Sequence, residues 1–185
     1  MLEQDGEHIK SVAFMLYHGT WIKGLHAIKA NATSHATGQR VAYFTADRCY
    51  ALVCCRDAAN NFVTMGLRED GKQHYYERFP DQLKTLYGGK AGYLYYVETA
   101  DGLTNTRGRT WESSADVRVE GCETVEDVYA ALLEEEARGA LIIHRYDEID
   151  PAEQKMHANY MKEHLAEQTE AMRQFYIAHF SALWD

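Results

Sequence analysis

Tyr17-His18-Gly19-Thr20 closes an apolar run, residues 12–17, and is followed by Gly24-Leu25, by Val41-Ala42-Tyr43-Phe44-Thr45 and by Tyr50. Residues 12–17 read as a buried strand that delivers a histidine and then a glycine at its end. There the missing Cβ lets backbone amides approach a ligand closely. Residues 41–44 read as a second brief buried strand. Thr45 then serves as the expected cap of a helix running through Tyr50 and Val53 towards Ala59. With the two strands side by side, His18, Tyr43 and Tyr50 line one cleft. Taken singly, a His at a strand end is a boundary residue and a Tyr an ordinary strand former. Their order is what points to a site.

The rest of the chain reads as alternating short elements. Residues 22–30 carry Ile22, Leu25 and Ile28 at helix-compatible spacing beside Trp21, which predicts a short helix, and the small polar stretch 31–39 predicts a loop. Residues 62–79 read as a hairpin turning at Glu69-Asp70-Gly71-Lys72. Pro80 suits a first helical residue, Gly88-Gly89 stops that helix, and Gly92 opens a strand over 93–99. Residues 101–110 predict a loop, with Arg107 and Arg109 as its local cations, and 117–119 a strand. Thr124 and Asp127 resemble a capping box for a helix over 125–138 that ends at Gly139. Leu141-Ile142-Ile143 is a short apolar strand. Asp150-Pro151 starts a helix, and without Gly or further Pro the segment to Trp184 is expected to be mostly one long helix. Met161, Leu165, Met172, Tyr176, His179 and Leu183 form its apolar stripe, read as packing on the domain. Phe175, Phe180 and Trp184 widen that surface towards a homodimer or partner contact.

Composition bounds the function classes. The chain has 185 residues, 46% of them hydrophobic and 25% charged, and a net charge of -9. One domain with a full core fits that length, and the acidic balance argues against broad attraction to nucleic acid. The four cysteines have no C-x-x-C spacing, which favours a reduced, cytoplasmic chain with Cys54-Cys55 as apolar fillers. The nine histidines form no H-E-x-x-H, so no metal site is expected. No run reaches the ~18 apolar residues of a membrane span, and the acidic first residues do not suit a signal peptide.

The order H-G-T, then G-L, then a Y-F strand with a further Tyr on the next helix resembles the NAD-binding core of the ADP-ribosyltransferase superfamily. The closest likeness is to its His-Tyr-Glu branch, which includes the poly(ADP-ribose) polymerases and diphtheria-type toxins. The resemblance spans residues 12–149, specific over its first third and generic afterwards. It implies an α+β fold with a split, mainly antiparallel β-sheet and flanking helices in a domain over residues 1–149. The long C-terminal helix, residues 150–185, packs on that domain. It implies NAD as the substrate and a protein or nucleic-acid acceptor. By resemblance His18 bonds a ribose hydroxyl, the Gly19 backbone holds the carboxamide, and Thr20 belongs to the same binding stretch. Tyr43 and Tyr50 would sandwich the nicotinamide ring with offset stacking, so that His18, Tyr43 and a glutamate form the catalytic set.

The family's third element is a Glu near the start of a later strand, where it stabilises the positive charge that develops on the ribose. Glu112, in Arg109-Thr110-Trp111-Glu112-Ser113-Ser114, is the first choice, with Glu120 and Glu98 as competitors. The residues after Glu112 depart from the family's apolar strand, reading Ser-Ser-Ala-Asp. That favours mono-ADP-ribosyl transfer or NAD hydrolysis over polymer formation. Two alternatives stay open: an RNA 2'-phosphotransferase-like NAD enzyme, and a non-catalytic module that binds NAD, ADP-ribose or a protein partner.

Overall fold

Leu16 and Tyr17, the end of the apolar run, join His18-Gly19-Thr20 in a central strand of a large sheet in the computed structural model, which describes residues 15–57, 62–98 and 101–184. In chain order the elements are β1 (Leu16–Thr20), β2 (Ala27–Ile28), β3 (Ala32–Thr33), β4 (Arg40–Thr45), α1 (Arg48–Val53), β5 (Thr64–Leu67) and β6 (Gln73–Tyr76). There follow α2 (Gln82–Tyr87), β7 (Gly92–Val97), β8 (Thr104–Arg107), β9 (Thr110–Ser113), β10 (Val117–Arg118) and β11 (Gly121–Val125). The last are α3 (Val128–Ala137), β12 (Leu141–His144), α4 (Pro151–Glu163) and α5 (Glu170–Phe180). This is an α+β architecture. Residues 12–14 of the opening apolar run lie outside the described part.

The large sheet runs β11-β7-β1-β4-β9-β8, with β3 beside β4, and its pairs are antiparallel. β7 pairs with all five residues of β1. On the other side β1 and β4 share a single ladder position, Tyr17 opposite Thr45. Beyond it the two strands part, and the sheet is split at that seam. A second, three-stranded sheet sets β12 parallel to β6 and β5 antiparallel to it. The main core joins Leu52 of α1, Leu83 and Leu86 of α2 and Val128 and Leu132 of α3 to Leu94 on the large sheet and Tyr75, Leu141 and Ile143 on the small one. The opposite face of the large sheet is closed by Leu16, Ile28, Phe44, Tyr95 and Val97.

Several elements differ from the sequence expectation for identifiable reasons. Residues 22–30 are extended rather than helical: Gly24 takes a positive φ of 80°, and β2 pairs with β10 to bury Ile28 over the sheet. The cap of α1 is Asp47, whose Oδ1 accepts from Tyr50 N at 3.1 Å, not Thr45. Residues 101–110 are no plain loop, because β8 and β9 form a hairpin around Gly108. Thr124 and Val125 end β11, a strand the sequence reading left out, and Asp127 caps α3. Pro80 precedes α2, whose cap is Asp81.

The largest correction concerns the C-terminal segment, which is not one long helix. Asp150 caps it and Pro151 starts it as expected, but α4 ends at Glu163 and a 3-10 turn, Leu165–Glu167, reverses the chain. Thr169 then caps α5 by accepting from Met172 N. A straight helix over 151–184 would extend roughly 50 Å and carry most of its stripe past the domain. Folded back, both helices bury it together: Ala158, Met161, Met172, Tyr176 and Phe180 enclose Phe79. Trp184 seals the pair by donating from Nε1 to the Ala158 carbonyl at 2.8 Å. Among the described residues, no helix is long and apolar enough to cross a membrane.

Candidate functional site

Where β1 and β4 part, the sheet leaves a cleft of ≈ 310 Å³ lined by Tyr17, His18, Gly19, His35, Tyr43, Phe44, Thr45, Tyr50, Ala51, Cys54, Thr110 and Glu112. His18 and Gly19 stand within β1 rather than after its end. The lost ladder is replaced by a side chain, since His18 Nδ1 lies 2.8 Å from the Tyr43 carbonyl. A carbonyl only accepts, so Nδ1 carries the proton and neutral His18 keeps Nε2 as an acceptor. Burial holds its pKa below the usual histidine range, partly offset by that backbone bond.

Gly19 is dictated by packing. A Cβ at this position would lie 1.7 Å from the Ala51 carbonyl oxygen, so α1 crosses directly against the strand only because no side chain intervenes. That crossing brings Tyr50, 41% exposed, to the rim of the cleft. The helix start is fixed from three sides through Asp47. Beyond the cap itself, its Oδ2 accepts from Gln73 Nε2 at 2.8 Å and from Arg109 Nη1 at 2.7 Å.

Across the seam β9 pairs with β4 and sets Glu112 opposite Tyr43. Glu112 is buried, and both its oxygens are satisfied by hydroxyls: Ser34 Oγ donates to Oε2 at 2.7 Å and Thr106 Oγ1 to Oε1 at 3.0 Å. The Tyr43 hydroxyl donates to the Thr33 carbonyl at 3.0 Å and accepts from His35 N at 3.1 Å, which ties the 33–39 turn to the site. Cys54, also on the cleft wall, has its thiol pKa raised by burial and stays protonated near neutrality.

The cleft therefore gathers His18, Gly19, Tyr43, Tyr50 and Glu112. Thr20 is not part of its wall; its side chain is buried and its Oγ1 accepts from Ile22 N at 3.2 Å. Glu120 and Glu98 stand elsewhere, both exposed, with Glu120 Oε2 accepting from Glu98 N at 2.9 Å beside a separate shallow groove. No family model, no curated protein and no solved structure matches this chain. Among the described residues no group of three or more His, Cys, Asp or Glu is arranged to hold a metal ion.

Sequence reasoning missed Ser34, His35, Thr106, Thr110 and the Asp47 knot. Ser34 and His35 sit in a stretch that reads as bland polar loop. The signal there was position, because a short loop leading directly into a site-bearing strand is a frequent carrier of function. For Thr106 and Thr110 the signal that could have found them is their place as β-branched residues flanking Arg107-Gly108-Arg109, a pattern suited to a hairpin but read as loop.

Proposed function

We propose that this chain cleaves the nicotinamide–ribose bond of NAD, as a mono-ADP-ribosyltransferase or NAD glycohydrolase, on an ADP-ribosyltransferase-like fold. The observation that carries this reading is the meeting, at one split in the sheet, of a histidine acceptor, two tyrosine rings and a buried carboxylate. Ligand pockets run from about 300 to 1,000 Å³. At ≈ 310 Å³ this cleft suits the nicotinamide–ribose half of NAD, with the remainder outside.

In the proposed reaction the bond between ribose C1' and the nicotinamide nitrogen breaks. Its electron pair leaves with nicotinamide, which becomes neutral, and positive charge develops on the ribose. Glu112 supplies the opposing negative charge in surroundings of low polarity, where such stabilisation acts most strongly. His18 Nε2 accepts from a ribose hydroxyl, and Tyr43 and Tyr50 hold the pyridinium plane. An acceptor hydroxyl or water then forms the new bond to C1' and gives up its proton to solvent.

The test is incubation with labelled NAD, scoring free nicotinamide and label on protein or nucleic acid separately. Release with transfer identifies a transferase, and release without transfer a hydrolase. Saturable binding without release would overturn the catalytic reading in favour of a binding module. Neither binding nor release would overturn it altogether.

A further inference from the structure

The Glu112 carboxylate is held by two hydroxyls that differ in how firmly they are themselves held. Ser34 is only 2% exposed. Its backbone closes the 34–39 turn at both ends, with Ser34 N donating to the Gln39 carbonyl at 2.8 Å and Gly38 N to the Ser34 carbonyl at 2.9 Å. Its Oγ accepts from Ala36 N and from Thr37 N, each at 3.2 Å. A serine hydroxyl has two lone pairs and one proton. With both lone pairs claimed by amides, its proton has one place to go, Glu112 Oε2 at 2.7 Å.

Thr106 reaches Oε1 from a different setting. It lies at the irregularity in the β8–β9 ladder between Asn105 and Arg107, on a partly buried side chain, and its bond is longer at 3.0 Å. A residue at a bulge is released from the ladder that fixes its neighbours.

We infer that Ser34 is a positioning residue that locks Glu112 through Oε2, whereas Thr106 is a placeholder whose bond to Oε1 is given up to a hydroxyl of the bound ribose. The inference rests on the NAD-cleaving reading of the cleft. It follows that the 34–39 turn is a structural part of the site: it holds the carboxylate through Ser34 and the Tyr43 hydroxyl through His35 N. Ser34 acts through Glu112 and makes no contact of its own with the reacting bond.

The experiment compares Ser34→Ala, Ser34→Thr and Thr106→Val with the wild type, measuring nicotinamide release at saturating NAD and NAD affinity by calorimetry, beside a crystal structure of each variant. Displacing a catalytic group by as little as 1 Å costs on the order of a hundredfold. Ser34→Ala is therefore expected to lower kcat by about ten- to a hundredfold while the NAD Kd stays within twofold. Ser34→Thr, which keeps the hydroxyl, should recover most of that loss. Thr106→Val should cost no more than about threefold in kcat, because its bond is absent once substrate is bound. A Ser34→Ala defect shared equally between Kd and kcat, no recovery with threonine, or a Thr106→Val loss as large as that of Ser34→Ala would overturn the inference. Should the wild type fail to cleave NAD, that reading of the cleft falls, and the crystal structures decide the positioning claim alone. Glu112 displaced in Ser34→Ala and restored in Ser34→Thr upholds the lock, and an unmoved carboxylate ends it.

Discussion

Gly19 shows how one absent side chain sets the geometry of the cleft. The backbone of α1 lies so close to β1 that a Cβ there would fall 1.7 Å from the Ala51 oxygen, and a backbone carbonyl has no rotamer with which to yield. Gly19→Ala must push α1 outward, carrying Tyr50 from the rim and straining the Asp47 cap. Forcing extra volume into packed structure typically costs about 1–3 kcal/mol, and contact with backbone places this case at or above the top of that range. Gly66→Ala is the matched control, since nothing lies within 4 Å of its added Cβ and strand interiors favour a side chain. Urea denaturation should show Gly19→Ala less stable than wild type by about 3 kcal/mol or more, with Gly66→Ala within about 0.5 kcal/mol. Equal effects at the two positions would contradict the close-approach account.

At the scale of elements, Phe79 ties the C-terminal helices to the domain. It is 1% exposed, packs edge-on against Phe175 and Phe180, and stacks on His179 with ring centroids 4.4 Å apart. Removing a buried aromatic side chain costs about 3–5 kcal/mol. Phe79→Ala should lose that much in chemical denaturation and expose α5 to faster amide exchange than α1. Equal exchange in the two helices would show that Phe79 does not anchor α5. The apolar stripe behind this contact was legible in the sequence at Met161, Met172 and Tyr176, but the reversal was not. No Gly or Pro marks it, and Thr169 reads as an ordinary helical residue until the chain is seen to turn before it. Residues 22–30 misled for the opposite reason: their helix-like spacing serves β2, where pairing with β10 and burial of Ile28 outweigh local periodicity. The seam strands were the legible part. Val41 to Phe44 is apolar and brief, and the histidine, glycine and tyrosines needed only strand order to meet. The two hydroxyls on Glu112 were hidden, because Ser34, Thr106 and the carboxylate itself come from three separate segments that only the fold brings together.

At the scale of the whole molecule, four histidines among the described residues are held below their usual range, each by burial first: His18, His144, His157 and His179. His74 adds to the effect at His144 and Arg78 at His157. His157 Nδ1 lies 2.7 Å from Arg78 Nη1 and must accept there, so protonation would set two donors against each other on the face of α4. A histidine with a depressed folded value contributes stability that is complete above its unfolded value of about 6.5. That stability is lost as pH falls through the folded values. The melting temperature should therefore drop between pH 7.5 and pH 5.5, above the range in which most carboxylates titrate. A melting temperature that is constant or rising across this interval would refute the assignment. On the proposed NAD-cleaving reading, the same arrangement, a split sheet with helix α1 against β1 and β9 paired to β4 on the other lip, has Glu112 act as the charge at the reacting centre. A group that acts on developing charge contributes in the transition state and little to ground-state binding. The most direct measurement is nicotinamide release from NAD by wild type and Glu112→Gln, with NAD affinity determined on both proteins. The account requires release by the wild type, a fall of about a hundredfold or more in kcat for the variant, and a Kd changed by less than about threefold. Undiminished release by Glu112→Gln, or no release by the wild type, would contradict it.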